Sequence, residues 1–225
     1  MCSEQAQVPE RMDSFFDRRS GEYDEHMQES LDSFEAFYEA VAQPIPRTED
    51  EVQILDIGCG TGLEFAPILQ RAPNAQIAGI DLSASMLECC RGKYPSHLAQ
   101  LTLIRGSYLE IPLGKARYHY AVSVMTLHHL KPERKGKVYG RIRRALRAGG
   151  AYIEGDYVVS KEKAAHLLAE YRRKMARVEE REEGIHHIDI PLTVEMQQEL
   201  LLGAGFATVD LIWQEGEAVV YLART

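Results

Sequence analysis

A glycine-rich turn between a strand and a helix constrains the fold of this chain more than any other feature. An apolar, partly β-branched run at 52–57 leads into Gly58, Gly60 and Gly62, and a helical stretch follows. In such a turn the backbone N–H groups and the positive end of the helix can face a ligand. The turn therefore predicts an α/β fold with a ligand site at the carboxyl end of this strand.

Short β-branched runs alternate with amphipathic helical stretches along most of the chain, as expected for a parallel sheet with helices on both faces. The predicted parallel strands are residues 52–57, 76–81, 101–105, 118–125 and 151–158. Two further runs, 206–213 and 218–222, flank the polar turn 214–217 and are predicted to form a closing antiparallel hairpin. The fold class is thus α/β, with a doubly wound and mostly parallel sheet.

The 225 residues, 45% of them hydrophobic, suit a single domain over 1–225. Its predicted parts are an N-terminal helical cover at 1–46, a ligand-binding core at 47–158, and a helical insertion with the C-terminal hairpin at 159–225. The cover is inferred from irregular helical spacing of apolar residues at 13–42. A polar helix is predicted at 161–183, and Thr193 is the predicted N-cap of a later helix.

The composition indicates the compartment and partners of the protein. A formal net charge of −8 argues against a nucleic-acid partner, and the arginines at 141–147 are predicted to form a solvated helix face. Cys89 and Cys90 are adjacent in a predicted helix, which is poor geometry for a mutual disulfide. There is no leader-like segment and no run of about 18 apolar residues that could span a membrane. We therefore expect a cytoplasmic protein with reduced thiols.

Three positions around the turn indicate which ligand it binds. Asp81 ends the next predicted strand, roughly 20 residues on, where a carboxylate can accept hydrogen bonds from ribose hydroxyls. Leu63 stands where the dinucleotide fingerprint has its third glycine, which counts against a nicotinamide dinucleotide. Asp56, just before the turn, suits a cationic amine better than a pyrophosphate. The pattern favours a nucleoside ligand that carries positive charge.

Three segments together resemble the class I S-adenosylmethionine-dependent methyltransferases that act on small molecules. They read LDIGCGTG at 55–62, GIDLSASML at 79–87 and MTLHHL at 125–130. The resemblance covers roughly 52–158. It implies a seven-stranded sheet, S-adenosylmethionine as cofactor, and methyl transfer to a small-molecule acceptor by in-line displacement, a reaction that depends mainly on orientation in a dry pocket.

The resemblance and the motif chemistry together define an expected cofactor site. The residues expected to contact the cofactor are Tyr23, Asp56, Gly58, Cys59, Gly60, Gly62, Asp81, Leu82, Met86, Ser107, Tyr108 and Met125. Tyr23 belongs to the cover, where it either contacts the cofactor or only packs between helices. The chain departs from the family pattern at Ser107, where relatives usually place an acid for the adenine amine, and at His119, where an aspartate is usual.

The expected catalytic residues are His128, His129 and Tyr157. The two histidines follow the fourth strand at the carboxyl edge of the sheet, where α/β proteins bind ligands, so they either face the acceptor or merely cap the strand. Tyr157, with Asp156, ends the fifth strand and either shapes the acceptor pocket or is only a polar strand end. An acceptor with an exchangeable proton would need a base such as imidazole.

Other functions remain as alternatives. The segment 186–189, His-His-Ile-Asp, could bind a metal together with His128 and His129. No helical His-x-x-x-His or paired Cys-x-x-Cys spacing supports such a site, so no metal is predicted. The preferred interpretation of this segment is a loop of the acceptor pocket. A protein that binds S-adenosylmethionine without turnover and a nicotinamide-dependent oxidoreductase are the two rivals. RNA methylation would require a basic face that the composition does not indicate.

Overall fold

The computed structural model describes residues 9–176, 178 and 186–225. It contains one seven-stranded sheet whose strands lie in the order β3-β2-β1-β4-β5-β7-β6. The strands are β1 Gln53–Ile57, β2 Gln76–Asp81, β3 Leu101–Arg105, β4 Tyr118–Val124, β5 Leu146–Tyr157, β6 Thr208–Glu215 and β7 Ala218–Arg224. Strand β7 runs antiparallel to β5 and β6, and the pairs among β1 to β5 are parallel. The mostly parallel sheet with a closing hairpin is thus confirmed.

The described chain has eight α-helices around this sheet. They are α1 Met12–Arg19, α2 Tyr23–Ser30, α3 Phe34–Ala42, α4 Phe65–Arg71, α5 Ala84–Lys93, α6 Pro132–Ala145, α7 Lys161–Met175 and α8 Val194–Gly203. Thr193 caps α8 as predicted, because its side chain accepts a hydrogen bond from the Met196 N–H at 3.2 Å. Along the described part of the chain, none of these helices combines the length and apolar character needed to cross a membrane.

Two hydrophobic layers, one on each face of the sheet, form the core. One includes Phe37 and Val41 of α3, and the other includes Tyr139 of α6 packed beside Tyr152 of β5. Helix α3 lies very close to β5, since a Cβ added at Gly155 would sit 2.8 Å from both Phe37 and Val41. This close approach holds the end of the N-terminal cover against the centre of the sheet.

Several predicted boundaries were wrong. The cover is three short helices, which are interrupted around Gly21 and at 31–33. Strand β5 begins at Leu146 rather than at residue 151, because its first residues continue directly from α6 and pair with β4 across a register shift. The hairpin turn is two residues rather than four, with Gly216 at a φ of 56°. Helix α7 is described to Met175, and most of the remaining predicted helix, to residue 183, lies outside the described residues.

Candidate active site

The glycine-rich turn adopts a conformation that its three glycines make possible. Gly58, Gly60 and Gly62 have φ values of 72°, 50° and 71°, a region that other residues rarely adopt. A Cβ at Gly58 would collide with Thr126, and one at Gly62 would lie 2.8 Å from the Phe65 ring. A Cβ at Gly60 would meet nothing within 4 Å. Gly58 and Gly62 are therefore required by packing, whereas Gly60 borders open space that a ligand can enter.

Asp81 lies beside this turn, as the parallel order of β1 and β2 predicts. Its Oδ2 accepts a hydrogen bond from the Gly60 N–H at 2.9 Å, and its Oδ1 accepts one from the Ser83 N–H at 2.8 Å. Burial raises the pKa of the Asp81 carboxyl to about 6, although these two backbone N–H groups act to lower it. The carboxylate is thus oriented by the backbone at the place expected for a ribose.

A second buried carboxylate, Glu64, accompanies Asp56, and sequence reasoning missed it. Asp56 and Glu64 are 1% and 3% exposed. Among the described residues, neither the two Asp56 oxygens nor Glu64 Oε1 has a hydrogen-bond partner. Burial, together with nearby carboxylates, raises the pKa of both groups. Two buried acids with no ion pair among the described residues favour a neighbouring ammonium group.

The N-terminal cover is attached to this site by hydrogen bonds between side chains. Asp17 of α1 accepts a hydrogen bond from the Ser83 hydroxyl at 2.5 Å, at the start of α5. Asp24 of α2 accepts one from the Thr61 hydroxyl, also at 2.5 Å, and forms an ion pair with Lys93. Nothing in the sequence pattern identified these contacts. They hold α1 and α2 over the carboxyl end of the sheet, where they can exclude water.

The loop after β3, where the adenine is expected, is held by Arg141. Its guanidinium donates to the carbonyl oxygen of Tyr108 at 2.6 Å and to those of Leu109 and Ile111. The prediction that the arginines at 141–147 form only a solvated helix face is therefore wrong for Arg141, because the preceding loop folds over its head group. Ser107 accepts a hydrogen bond from the Leu109 N–H at 3.2 Å, which shapes the same loop.

Four predicted cofactor residues take different positions around the site. Cys59 is buried beneath the turn, where a Cβ added at Gly79 would lie 2.7 Å from its sulfur. Met86 is also buried, whereas Leu82 is half-buried. Tyr23 lines a cavity under the N-terminal cover, and burial, with the charge of Glu64, raises the pKa of its phenol well above the usual value. The contacts of these residues with the cofactor stay predictions.

His119, the other departure from the family pattern, has a structural role at the start of β4. Its Nδ1 accepts a hydrogen bond from the Gln53 N–H at 2.8 Å, and Arg147 contacts its Nε2. The residue thus ties β4 to β1 at the amino ends of the strands. This lies at the edge of the sheet opposite the glycine-rich turn.

A cavity of about 760 Å³ lies between the cover and the carboxyl ends of β4 and β5. Its walls combine aromatic, methionine and histidine side chains, including Phe15, Phe16, Tyr23, Met125, Tyr157 and His187. Met125, at the end of β4, has a φ of 47°, which is unusual for a residue with a side chain and typical of functional sites. The structure therefore brings the predicted cofactor residues Tyr23 and Met125 to the same cavity as the predicted catalytic Tyr157.

His128 and His129 also line this cavity, from a short 3-10 helix at Leu127–His129. His128 Nδ1 lies 2.7 Å from Asp156 Oδ1, and the Asp156 carboxyl has a lowered pKa because His128 and Lys135 outweigh the effect of burial. Burial and the proximity of His128 lower the pKa of His129 to about 4, so its imidazole is neutral at pH 7. Both side chains thus line the cavity, and a direct contact of either with the acceptor stays a prediction.

The segment 186–189 forms part of the same wall, as preferred in the sequence-based interpretation. His187 and Asp189 line the cavity, and His187 stacks on Phe15 of the cover with ring centroids 3.5 Å apart. Asp189 Oδ1 lies 3.0 Å from His129 Nδ1. The histidines near Asp189 lower the pKa of its carboxyl, against the effect of burial. The loop before α8 is therefore joined both to the cover and to the histidine pair.

Comparison with known proteins defines the class. Residues 54–150 match a family model described as a methyltransferase domain. This segment contains all but the first residue of β1, the whole of β2 to β4, the start of β5, the glycine-rich turn and Asp81. The matched domain and the curated relatives described next indicate a class I S-adenosylmethionine-dependent methyltransferase, with S-adenosylmethionine as its cofactor.

Among curated proteins, the carboxy-S-adenosyl-L-methionine synthase of Campylobacter curvus is 23% identical over 182 residues, which is 77% of each chain. An uncharacterised methyltransferase of Anoxybacillus flavithermus is 27% identical over 150 residues, or 66% of this chain and 67% of that protein. These relatives agree with the class and do not support the nicotinamide alternative.

Two solved structures share the fold. A candidate O-methyltransferase of Nostoc punctiforme superposes with a TM-score of 0.72 at 20% identity, covering 98% of this chain and 63% of that one. Human N-acetylserotonin methyltransferase in complex with S-adenosylmethionine gives a TM-score of 0.64 at 17% identity, with 92% and 56% covered. The chain thus spans less than two thirds of the length of either structure.

Proposed function

We propose that the chain transfers the methyl group of S-adenosylmethionine to a small molecule bound in the cavity beneath the N-terminal cover. The observation that supports this is the cavity itself, whose volume of about 760 Å³ lies in the range of small-ligand sites. It is lined in part by aromatic side chains and lies at the carboxyl ends of β4 and β5, where Met125 and Tyr157 reach it. The net charge of −8 supports a small acceptor rather than a nucleic acid.

The residues around the turn would hold the cofactor. The ionised carboxylate of Asp81 would accept hydrogen bonds from the ribose, and the acidic pair Asp56 and Glu64 would attract the ammonium group of the methionine part. The face of Gly60 leaves room for close approach to the backbone. The bound cofactor supplies an electrophilic methyl group on a sulfonium. The protein's contribution is then to orient the acceptor and exclude water from the cavity.

The histidine pair provides the base that an acceptor with an exchangeable proton requires. The His129 imidazole is buried and neutral, so its lone pair is available for a proton. His128 is oriented by its 2.7 Å contact with Asp156. Tyr157 lies against His128, with ring centroids 4.6 Å apart, and would position the acceptor. These three residues are the proposed catalytic set.

A second candidate function follows from the curated relatives. Several of them, including those of Campylobacter curvus and Campylobacter hominis, are named carboxy-S-adenosyl-L-methionine synthases, which implies carboxylation of the cofactor rather than methylation of a separate acceptor. That reaction would use the same glycine-rich turn and Asp81. The two functions differ in the cofactor product, so they can be distinguished directly.

The test is mass spectrometry of the cofactor after incubation with pools of small phenols, thiols, amines and carboxylic acids. Methyl transfer would release S-adenosylhomocysteine together with a methylated acceptor, whereas the second candidate would take a carboxyl group from a member of the carboxylic-acid pool and yield a carboxylated cofactor. Asp81→Ala should lose cofactor binding, and Tyr157→Phe should keep it but change turnover. Tyr120→Phe, at the other end of the sheet, is the matched control. Binding without any product in all pools would support the alternative of a protein that binds S-adenosylmethionine without turnover.

We also propose a cytoplasmic location. Its support is that Cys59, Cys89 and Cys90 are all unpaired in the structure, as expected for a reducing compartment. Cell fractionation with an antibody against the native protein would test it. Recovery from an oxidising compartment would contradict the proposal.

A further inference from the structure

We propose that His128, His129 and Asp189 form a binding site for a divalent transition-metal ion in the wall of the acceptor cavity. Each residue offers one ligand atom, and the three atoms lie within 4.8 Å of one another. All three residues line the cavity. The part of this inference that concerns the acceptor rests on the proposed function, whereas the metal site itself does not.

Two of the candidate ligand atoms are buried and lack hydrogen-bond partners among the described residues. They are His129 Nδ1 and Asp189 Oδ1. They lie 3.0 Å apart, so the imidazole and the carboxylate are in direct contact, and the Asp189 side chain as a whole is 44% exposed at the cavity. Two unpartnered polar atoms in this arrangement, buried side by side, point toward a shared neighbour. His128 Nε2, at 3.8 Å from Asp189 Oδ1, is the third atom around that position.

His128 also has the outer partner that metal-binding histidines usually have. Its Nδ1 contacts Asp156 Oδ1 at 2.7 Å, which fixes the imidazole with the Nδ1 proton toward the carboxylate and the Nε2 lone pair toward Asp189. Asp156 is itself held by the Tyr157 N–H at 2.9 Å and lies 3.9 Å from the Lys135 ammonium. A carboxylate behind an imidazole is the arrangement that orients the ligand and increases its basicity.

The donor set indicates the class of ion. Two imidazole nitrogens and one carboxylate oxygen suit Zn²⁺ and similar first-row ions rather than Ca²⁺ or Mg²⁺. Bonds of about 2.0–2.1 Å to a tetrahedral ion place the ligand atoms about 3.4 Å from one another. The three candidate atoms lie within 4.8 Å of one another, so the two that are farthest apart need to approach by at most about 1.4 Å for an ion to bind. His187, whose Nε2 is 3.9 Å from Asp189 Oδ1, is within reach as an additional ligand.

Three protein ligands leave at least one position of such an ion open, and here that position faces the acceptor cavity. The acceptor class this implies is a small molecule with a hydroxyl, phenol or thiol that can coordinate through oxygen or sulfur. The ion would lower the pKa of that group and thereby replace the direct base role of His129. Simple amines that stay protonated at neutral pH would be poor acceptors.

The test is direct metal binding by full-length protein purified without a polyhistidine tag and stripped with a chelator. Equilibrium dialysis against Zn²⁺, followed by elemental analysis, should give about one ion per chain, and Co²⁺ should give visible absorption bands that change in Asp189→Asn. His129→Ala and Asp189→Asn should bind Zn²⁺ at least tenfold more weakly. Asp156→Asn, at the positioning residue, should weaken binding by about 10–100-fold. His166→Gln, on the exposed surface of α7, is the matched control.

Calorimetry with S-adenosylhomocysteine checks that each variant is folded, since its affinity should stay within about twofold of the wild type. If the wild type binds no Zn²⁺, or if His129→Ala and Asp189→Asn bind it as well as His166→Gln does, the site is refuted. Stoichiometric Zn²⁺ binding in a protein that methylates nothing would overturn the proposed function but leave the metal site standing.

Discussion

Lowering the pH from 7 to 5 should weaken the binding of adenosine-containing ligands through one residue, Asp81. Its carboxyl has a pKa of about 6 in the free protein, because the side chain is buried. If only the ionised carboxylate accepts the ribose hydroxyls, the competent fraction of the protein is about 0.9 at pH 7 and about 0.09 at pH 5. The dissociation constant should therefore rise about tenfold over this interval.

The sign follows from linkage between binding and ionisation. A raised pKa means that the folded, free protein favours neutral Asp81, so its contribution to stability is full at acidic pH and is lost as the pH rises through about 6. Ribose hydroxyls favour the ionised form and pull this pKa down on binding. Ligand affinity and the ligand-induced rise in melting temperature should both be larger at pH 7 than at pH 5.

The assay is isothermal titration calorimetry with 5′-methylthioadenosine, which keeps the ribose and adenine but lacks the ammonium group. This choice avoids the other buried acids, Asp56 and Glu64, whose titration should make the profile of S-adenosylhomocysteine steeper. Asp81→Asn should bind weakly with little pH dependence, and Asp50→Asn, at an exposed position, should behave as the wild type. A flat wild-type profile, or an equal slope in Asp81→Asn, would refute the role of this ionisation.

Three further predictions concern the turn, the acid pair and the loop clamp. Gly60→Ala should lower the free energy of unfolding by only about 1 kcal/mol, because of its positive φ, but should strongly reduce the affinity for S-adenosylhomocysteine, because the added methyl group would enter the open space beside the turn. Gly62→Ala should destabilise the protein more, because its Cβ would lie 2.8 Å from the Phe65 ring. Equal melting temperatures would contradict this. Glu64→Gln should raise the melting temperature of the ligand-free protein, because it removes the free-energy cost of burying a carboxylate; each kcal/mol removed should add about 2–4 °C. The same change should weaken ligand binding. A lower melting temperature would show that Asp56 and Glu64 already stabilise each other without a ligand. Arg141→Met should leave the carbonyl oxygens of three loop residues without their hydrogen-bond donor and increase amide hydrogen exchange over 106–112. Arg143→Met is the control. Unchanged exchange would mean that the loop keeps its conformation without Arg141.

The sequence by itself determined the sheet, the glycine-rich turn and the place of Asp81. These follow from local patterns and from one general rule, since neighbouring parallel strands end at the same edge and bring Gly60 and Asp81 together. The pattern could not set the start of β5 or the breaks in the cover. Those depend on a register shift against β4 and on how short helices fit over the sheet.

Only the tertiary structure decided which charged side chains meet. Glu64 joins Asp56 because α4 begins beneath the turn, and Arg141 reaches the loop after β3 because that loop folds over α6. Asp189 meets His129 because the loop before α8 returns to the end of β4, where Ile190 N–H bonds to His128 O at 2.7 Å. Periodicity and spacing report on neighbours along a strand or helix. They carry no information on where a distant loop packs, so the sequence indicated the cofactor while the structure defined the wall that faces the acceptor.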